Sequence, residues 1–181
     1  MSLAEIKSRI IETEIKFKRF VGSTKLIAVS KVQPINRIGS VLEKGHRIFG
    51  ENRVQEAQSK WPAFKKQYQD VELHIIGPLQ TNKTRTAMEL ADSIHTLDRP
   101  KLAKNMARLA QDIGKCPELF VQVNTGDEKQ KSGILLSDLE NFYKYCVSEL
   151  SLDVIGLMCL PPYDVDTEEY FKILKRTADK L

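Results

Sequence analysis

The chain has few cysteines, and they form no recognisable pattern. Cys116, Cys146 and Cys159 are odd in number, and neither a Cys-x-x-Cys pair nor a histidine-rich segment accompanies them. We therefore expect neither a disulfide framework nor a metal site, and this cysteine usage is typical of a reducing compartment.

Long hydrophobic runs and blocks of like charge are also missing. No apolar segment approaches the ~20 residues needed to cross a bilayer, and charges interrupt the N-terminal segment, unlike a signal peptide. Basic and acidic residues are interspersed, and the formal net charge is only +4 on 181 residues, which argues against a nucleic-acid surface. We expect a cytoplasmic protein that binds neither nucleic acid nor a membrane.

Short apolar segments alternate with amphipathic segments along the whole chain. The apolar segments are rich in β-branched and aromatic residues, and most lack apolar–polar alternation, which is typical of parallel strands buried on both faces. Six strands are predicted: Leu26–Lys31, Ile48–Asn52, Leu73–Gly77, Ile94–Asp98, Leu119–Asn124 and Val154–Leu160.

The amphipathic segments carry helix start signals. Ser2 and Glu5 have the spacing of a capping box, and so do Ser137 and Glu140. Pro100 can occupy the first turn of another helix, because its fixed backbone angle suits that position. About seven helices are predicted.

Repeated strand–helix units form either an open doubly wound sheet or a (β/α)8 barrel of the TIM type. The sequence contains neither Gly-x-Gly-x-x-Gly nor a P-loop motif. Polar residues instead end successive predicted strands, which is typical of the active face of a barrel; they are Lys31, Asn52, His74, Asp98 and Asn124. A complete barrel uses about 30 residues per unit, so we predict one barrel domain over residues 1–181 with about six units, lacking the last two.

Each candidate site residue has a functional and a structural interpretation. The Lys31 amine can condense with an aldehyde cofactor, or it can simply reach solvent from a strand end. Asn52 and Asn124 suit a ligand oxygen, but asparagine is also common in turns. His74 suits a planar ligand, although a lone histidine in a strand is more often a core residue. Met158 is most simply a core residue, as most methionines in strands are.

Several segments together resemble the pyridoxal 5'-phosphate (PLP) homeostasis family, whose barrel is like the N-terminal domain of alanine racemase. The matching segments follow the family order over nearly the whole chain: AVSK (Ala28–Lys31), FGENRVQEAQSK (Phe49–Lys60), HIIGPLQTNK (His74–Lys83), HTLDRPKLA (His95–Ala103), VNTGDEKQKSG (Val123–Gly133) and GLMCLP (Gly156–Pro161).

The resemblance implies a non-catalytic PLP-binding protein that takes part in intracellular PLP homeostasis, with the cofactor as an aldimine on Lys31. It implies that Asn52 and Met158 line the cofactor pocket, with His74 and Asn124 on neighbouring strand ends. Apo PLP enzymes are the implied recipients, and the complete protein is expected to be a monomer. Members continue beyond the position of Leu181 into segments that hold the phosphate, so we expect residues 1–181 alone to bind PLP weakly.

Two alternative functions stay open, and so does a possible role of two further lysines. The barrel is shared with PLP-dependent amino-acid racemases and decarboxylases, and a scaffold without cofactor is also compatible with the sequence. Lys83 and Lys131 lie in motif loops and are possible secondary lysines that accept PLP transiently. Ordinary exposed lysines are the simpler interpretation of both.

Overall fold

The computed structural model describes residues 2–126, 132–163 and 165–181. In these ranges the helices are Leu3–Lys16 (α1), Ile35–Glu43 (α2), Val54–Gln67 (α3), Thr84–Leu90 (α4), Pro100–Ile113 (α5), Leu139–Lys144 (α6) and Glu168–Ala178 (α7). The strands are Ala28–Val29 (β1), Ile48–Glu51 (β2), Glu72–Ile75 (β3), Ser93–Leu97 (β4), Glu118–Asn124 (β5), Ile134–Leu135 (β6) and Val154–Cys159 (β7). None of the described helices is both long and apolar enough to cross a membrane.

All strand pairs in the sheet are parallel, and β1 to β5 follow each other in chain order. β7 pairs with most of β5, and the two-residue strand β6 pairs with the last two residues of β5. The six predicted strands are confirmed, whereas β6 was not predicted because it has only two residues, directly after a polar, loop-like segment. Within the described ranges β1 and β7 do not pair with each other, so the barrel is not closed.

The two faces of the sheet differ in what covers them. Leu73, Ile75 and Ile94 are fully buried under the helices together with Trp61 and Met106. Because side chains alternate along a strand, the opposite face carries a different set of residues that lines the barrel interior: Gly50, His74, His95, Phe120 and Gly156. Burial on both faces explains why the strands lack apolar–polar alternation.

One predicted capping box is confirmed and the other is wrong. The Glu5 N–H donates to Ser2 Oγ at 3.2 Å, and the Ser2 N–H donates to the Glu5 carboxylate at 2.7 Å. In the second case Asp138, and not Ser137, precedes helix α6. The Asp138 N–H bonds to the carbonyl of Leu135, so a turn after β6 moves the helix start one residue further along the chain.

Candidate functional site

Five predicted site or strand-end residues lie at the C-terminal ends of parallel strands. They are Lys31 in the turn after β1, Asn52 directly after β2, Asp98 directly after β4, Asn124 at the end of β5 and Met158 near the end of β7. The carboxyl ends of parallel strands converge at one end of a barrel, where active sites of this fold are built.

Lys31 occupies an exposed and unusual turn. The Gln33 N–H donates to the Ser30 carbonyl at 3.1 Å, which closes a four-residue turn with Lys31 and Val32 at its centre. Val32 has φ of 61°, a value that the third residue of such a turn normally reaches with glycine. A β-branched residue in this region is strained, so the conformation must be held by its surroundings.

Glycines let neighbouring backbone segments approach Asn52 and Asn124 closely. A Cβ atom added at Gly77 would lie 2.3 Å from the Asn52 carbonyl oxygen. Gly133 has φ of 127°, and a Cβ there would lie 2.7 Å from the Asn124 nitrogen. No other residue fits either position without backbone movement. These close contacts therefore restrict the backbone of Asn52 and of Asn124.

A cavity of about 250 Å³ lies beside Asn124. Its lining mixes apolar and polar side chains: Ile76, Pro78, Thr96, Gln122, Val123, Asn124, Ser132 and Leu160. This size is just below the range of about 300–1,000 Å³ that is typical of sites for drug-sized ligands. The cavity therefore suits a small molecule.

Gln122 is a site residue that the sequence analysis missed. Its side chain is 5% exposed, and Nε2 donates to the Ser132 carbonyl at 3.2 Å. A carbonyl only accepts, so this bond orients the amide, and Oε1 is left without a donor among the described residues. A buried acceptor without a partner is costly, and a polar group of a bound ligand would remove that cost. The sequence did contain a signal for this residue, because a glutamine within an otherwise apolar strand indicates a polar group in the interior.

His74 lies away from this cavity. It lines a separate cavity of about 270 Å³ with residues that precede β1, β4 and β5, among them Lys25, Asp92 and Pro117. β3, which carries His74, pairs with β2, which ends just before Asn52, and β5, which carries Asn124, pairs with β7, which carries Met158. A role of His74 in a cofactor site stays a prediction. The sequence shows the strand but not the register, which sets His74 opposite Ser93, the first residue of β4.

His74 instead forms a pair with His95 inside the barrel. His74 Nδ1 and His95 Nε2 are 2.8 Å apart, and the His95 ring stacks on Phe120 with centroids 4.3 Å apart. His74 Nε2 also lies 3.6 Å from a Glu72 carboxylate oxygen. Burial lowers the pKa of His74, and burial together with the nearby His74 lowers the pKa of His95 to about 4, so both rings are neutral at pH 7.

Of the two possible secondary lysines, Lys83 and Lys131, the structure describes only Lys83. Lys83 is half-buried at the end of a short 3-10 turn before α4, and it does not line the cavity beside Asn124. Lys131 lies outside the described residues. Transient cofactor transfer through either lysine stays a prediction.

Comparisons with known proteins agree with this architecture. The family model described as alanine racemase, N-terminal domain, matches residues 9–181. A pyridoxal phosphate homeostasis protein of Aquifex aeolicus is 34% identical over 100% of this chain and 82% of its own length. Its counterpart in Haemophilus influenzae is 40% identical over 94% of this chain and 74% of its own length.

This chain belongs to the pyridoxal phosphate homeostasis protein family.

Solved structures give the same result for the fold. PipY of Synechococcus elongatus PCC7942, solved with PLP bound, is 32% identical with a TM-score of 0.76, covering 94% of this chain and 81% of PipY. An unknown protein from Bifidobacterium adolescentis is 26% identical with a TM-score of 0.89, covering 98% and 76%. Alanine racemase from Corynebacterium glutamicum is 15% identical with a TM-score of 0.69, covering 96% and 48%, which confirms the predicted barrel type.

Proposed function

We propose that this family member binds PLP with Lys31 as the covalent attachment point and takes part in intracellular PLP homeostasis. The observation that carries the proposal is the position of Lys31. It lies in a turn at the end of the barrel that also bears Asn52, Asn124 and Met158. The chain is also similar to PipY, a protein solved with PLP bound.

The residues at this end fit the cofactor's chemistry. When bound, PLP supplies an aldehyde, which condenses with a primary amine and releases one water, and a planar pyridine ring. Lys31 offers the amine, and the amides of Asn52 and Asn124 can bond the hydroxyl group on the ring. The unpaired Oε1 of Gln122 can accept from a ligand O–H or N–H, and Met158 can pack on the ring face.

Reductive labelling tests the proposal directly. The chain is mixed with PLP, treated with borohydride, and digested for peptide mapping, so that each labelled lysine carries a stable secondary amine. We expect label to accumulate at Lys31 before Lys83 and to vanish from that peptide in Lys31→Ala. Label spread evenly over the lysines would contradict the proposal.

The relatives are named homeostasis proteins, which supports our proposal that this chain has no catalytic turnover. We propose further that it acts in the cytoplasm as a monomer and that apo PLP enzymes receive its cofactor. The likeness to alanine racemase supports the fold alone, because the identity is 15%. Appreciable racemisation of an amino acid by the purified protein would favour an enzyme instead.

A further inference from the structure

The turn that carries Lys31 is strained at Val32, and burial of the Val32 side chain does not compensate this strain. Val32 is 84% exposed, so its side chain gains nothing from packing, yet it has φ of 61°. The other non-glycine residues with positive φ in the described ranges are Lys18 and Ser151, and neither is β-branched. Some other interaction must therefore hold this backbone conformation.

A carboxylate from helix α3 holds the strained residue. The Val32 N–H donates to Glu56 Oε1 at 2.6 Å, across 24 positions of sequence. Hydrogen bonds to an ionised acceptor are about twice as strong as neutral ones. The bonds from Lys60 and Val32 also lower the pKa of Glu56, which keeps it ionised at pH 7.

A lysine one helical turn further along α3 holds the other side of the turn. Lys60 Nζ bonds Glu56 Oε1 at 2.5 Å and donates to the Ser30 carbonyl at 3.2 Å. It also lies 3.5 Å from Glu51 Oε1, which accepts from Ser30 Oγ at 2.8 Å. Ser30 and Val32, the two residues that flank Lys31, are thus both tied to α3.

The network is shielded from solvent, unlike an ordinary surface ion pair. The side chains of Lys60, Glu56 and Glu51 are 11%, 22% and 0% exposed. Charges in such surroundings interact more strongly than charges in water, because solvent screens them less. By contrast, Glu140 and Lys144 form an ion pair of the same i,i+4 spacing on α6 with side chains 69% and 65% exposed.

We propose that Glu56 and Lys60 are positioning residues that hold the Lys31 turn in its strained conformation and so set the place from which the Lys31 amine meets an aldehyde ligand. This inference rests on the proposed function and names residues for it. Without Glu56, the bond to the Val32 N–H that compensates its strain is lost, so we expect the turn to relax to negative φ and to carry Lys31 away from its position.

A rescue experiment separates positioning from a general contribution to stability. Glycine adopts positive φ without strain, so Val32→Gly removes the need for the Glu56 bond. The readout is the ratio of borohydride-trapped PLP at Lys31 to that at Lys83 in the same molecules, which the folded fraction alone does not set. Thermal unfolding of each variant is recorded alongside.

We expect Glu56→Ala and Lys60→Met to lower the labelling ratio about tenfold or more, since small misplacements of a reacting group are costly. We expect Val32→Gly to restore much of the ratio in the Glu56→Ala background, and Lys60→Arg to retain more of it than Lys60→Met. The matched control Glu140→Ala should leave the ratio unchanged.

The outcomes distinguish this inference from the proposed function. A wild-type chain without preferential label at Lys31 would refute the proposed function and, with it, the inference. Preferential label in the wild type that persists in Glu56→Ala and Lys60→Met would refute the positioning role alone. Loss of label in Glu56→Ala that Val32→Gly does not restore would also refute it.

Discussion

The histidine pair inside the barrel makes stability depend on pH. His74 Nδ1 and His95 Nε2 share one hydrogen bond at 2.8 Å. The pKa of His95 is about 4 in the folded protein, compared with an ordinary value of 6.5. Between these two values the unfolded chain binds the proton more readily, so acidification favours unfolding.

The size of the effect follows from the two pKa values. The contribution of His95 is complete above about pH 6.5 and is lost as the pH falls towards 4. Linkage between these values gives a loss of about 2 kcal/mol in the free energy of unfolding between pH 7.5 and pH 5. The pKa of His74 is lowered in the same direction, so it adds to the loss.

Urea unfolding at several pH values measures this loss. Trp61 is fully buried, so its fluorescence reports the transition. We expect His95→Gln to lose about 2 kcal/mol less than the wild type over this pH range, whatever its stability at pH 7.5. His46→Gln is the matched control: burial also lowers the pKa of His46, but it bonds the Ile48 carbonyl and lies outside the pair.

One result would refute this reasoning. If His95→Gln and the wild type lose the same free energy of unfolding between pH 7.5 and pH 5, the buried pair does not couple folding to protonation. The His46→Gln control should still show the loss in free energy of unfolding that His95 causes. It should lack only the part of the loss that His46 itself contributes.

Two further substitutions test the site. Gly77→Ala places a Cβ 2.3 Å from the Asn52 carbonyl oxygen. We therefore expect it to lower the free energy of unfolding in urea by about 1–3 kcal/mol and to weaken the labelling of Lys31. Its control is Gly39→Ala in α2, where a Cβ meets nothing within 4 Å, and this change should be neutral or stabilising. Equal effects of the two changes would contradict the close-approach argument. Gln122→Leu removes an unpaired acceptor, so we expect unchanged or higher stability without ligand but weaker labelling by PLP; unchanged labelling would exclude Gln122 from the site.

Much of the fold could be predicted from the sequence because it depends on local signals. Apolar segments buried on both faces predicted six strands, and the capping box at Ser2 and Glu5 predicted the start of α1. These features depend on residues close together in the chain. The helix start at Leu139 was predicted less well, because a turn after β6 decides it.

The contacts between residues far apart in the chain were decided by tertiary structure. His74 and His95 were each visible in a motif, but only strand register brings their rings together. Glu56 and Lys60 have i,i+4 spacing on α3, which indicates an ordinary helical ion pair. Their bonds to the turn around Lys31 join residues 24 and 30 positions apart, and such contacts arise only because α3 packs on β2, the neighbour of β1 in the sheet. The sequence by itself therefore determined where the lysine lies in the barrel, whereas the tertiary structure determined what holds it there.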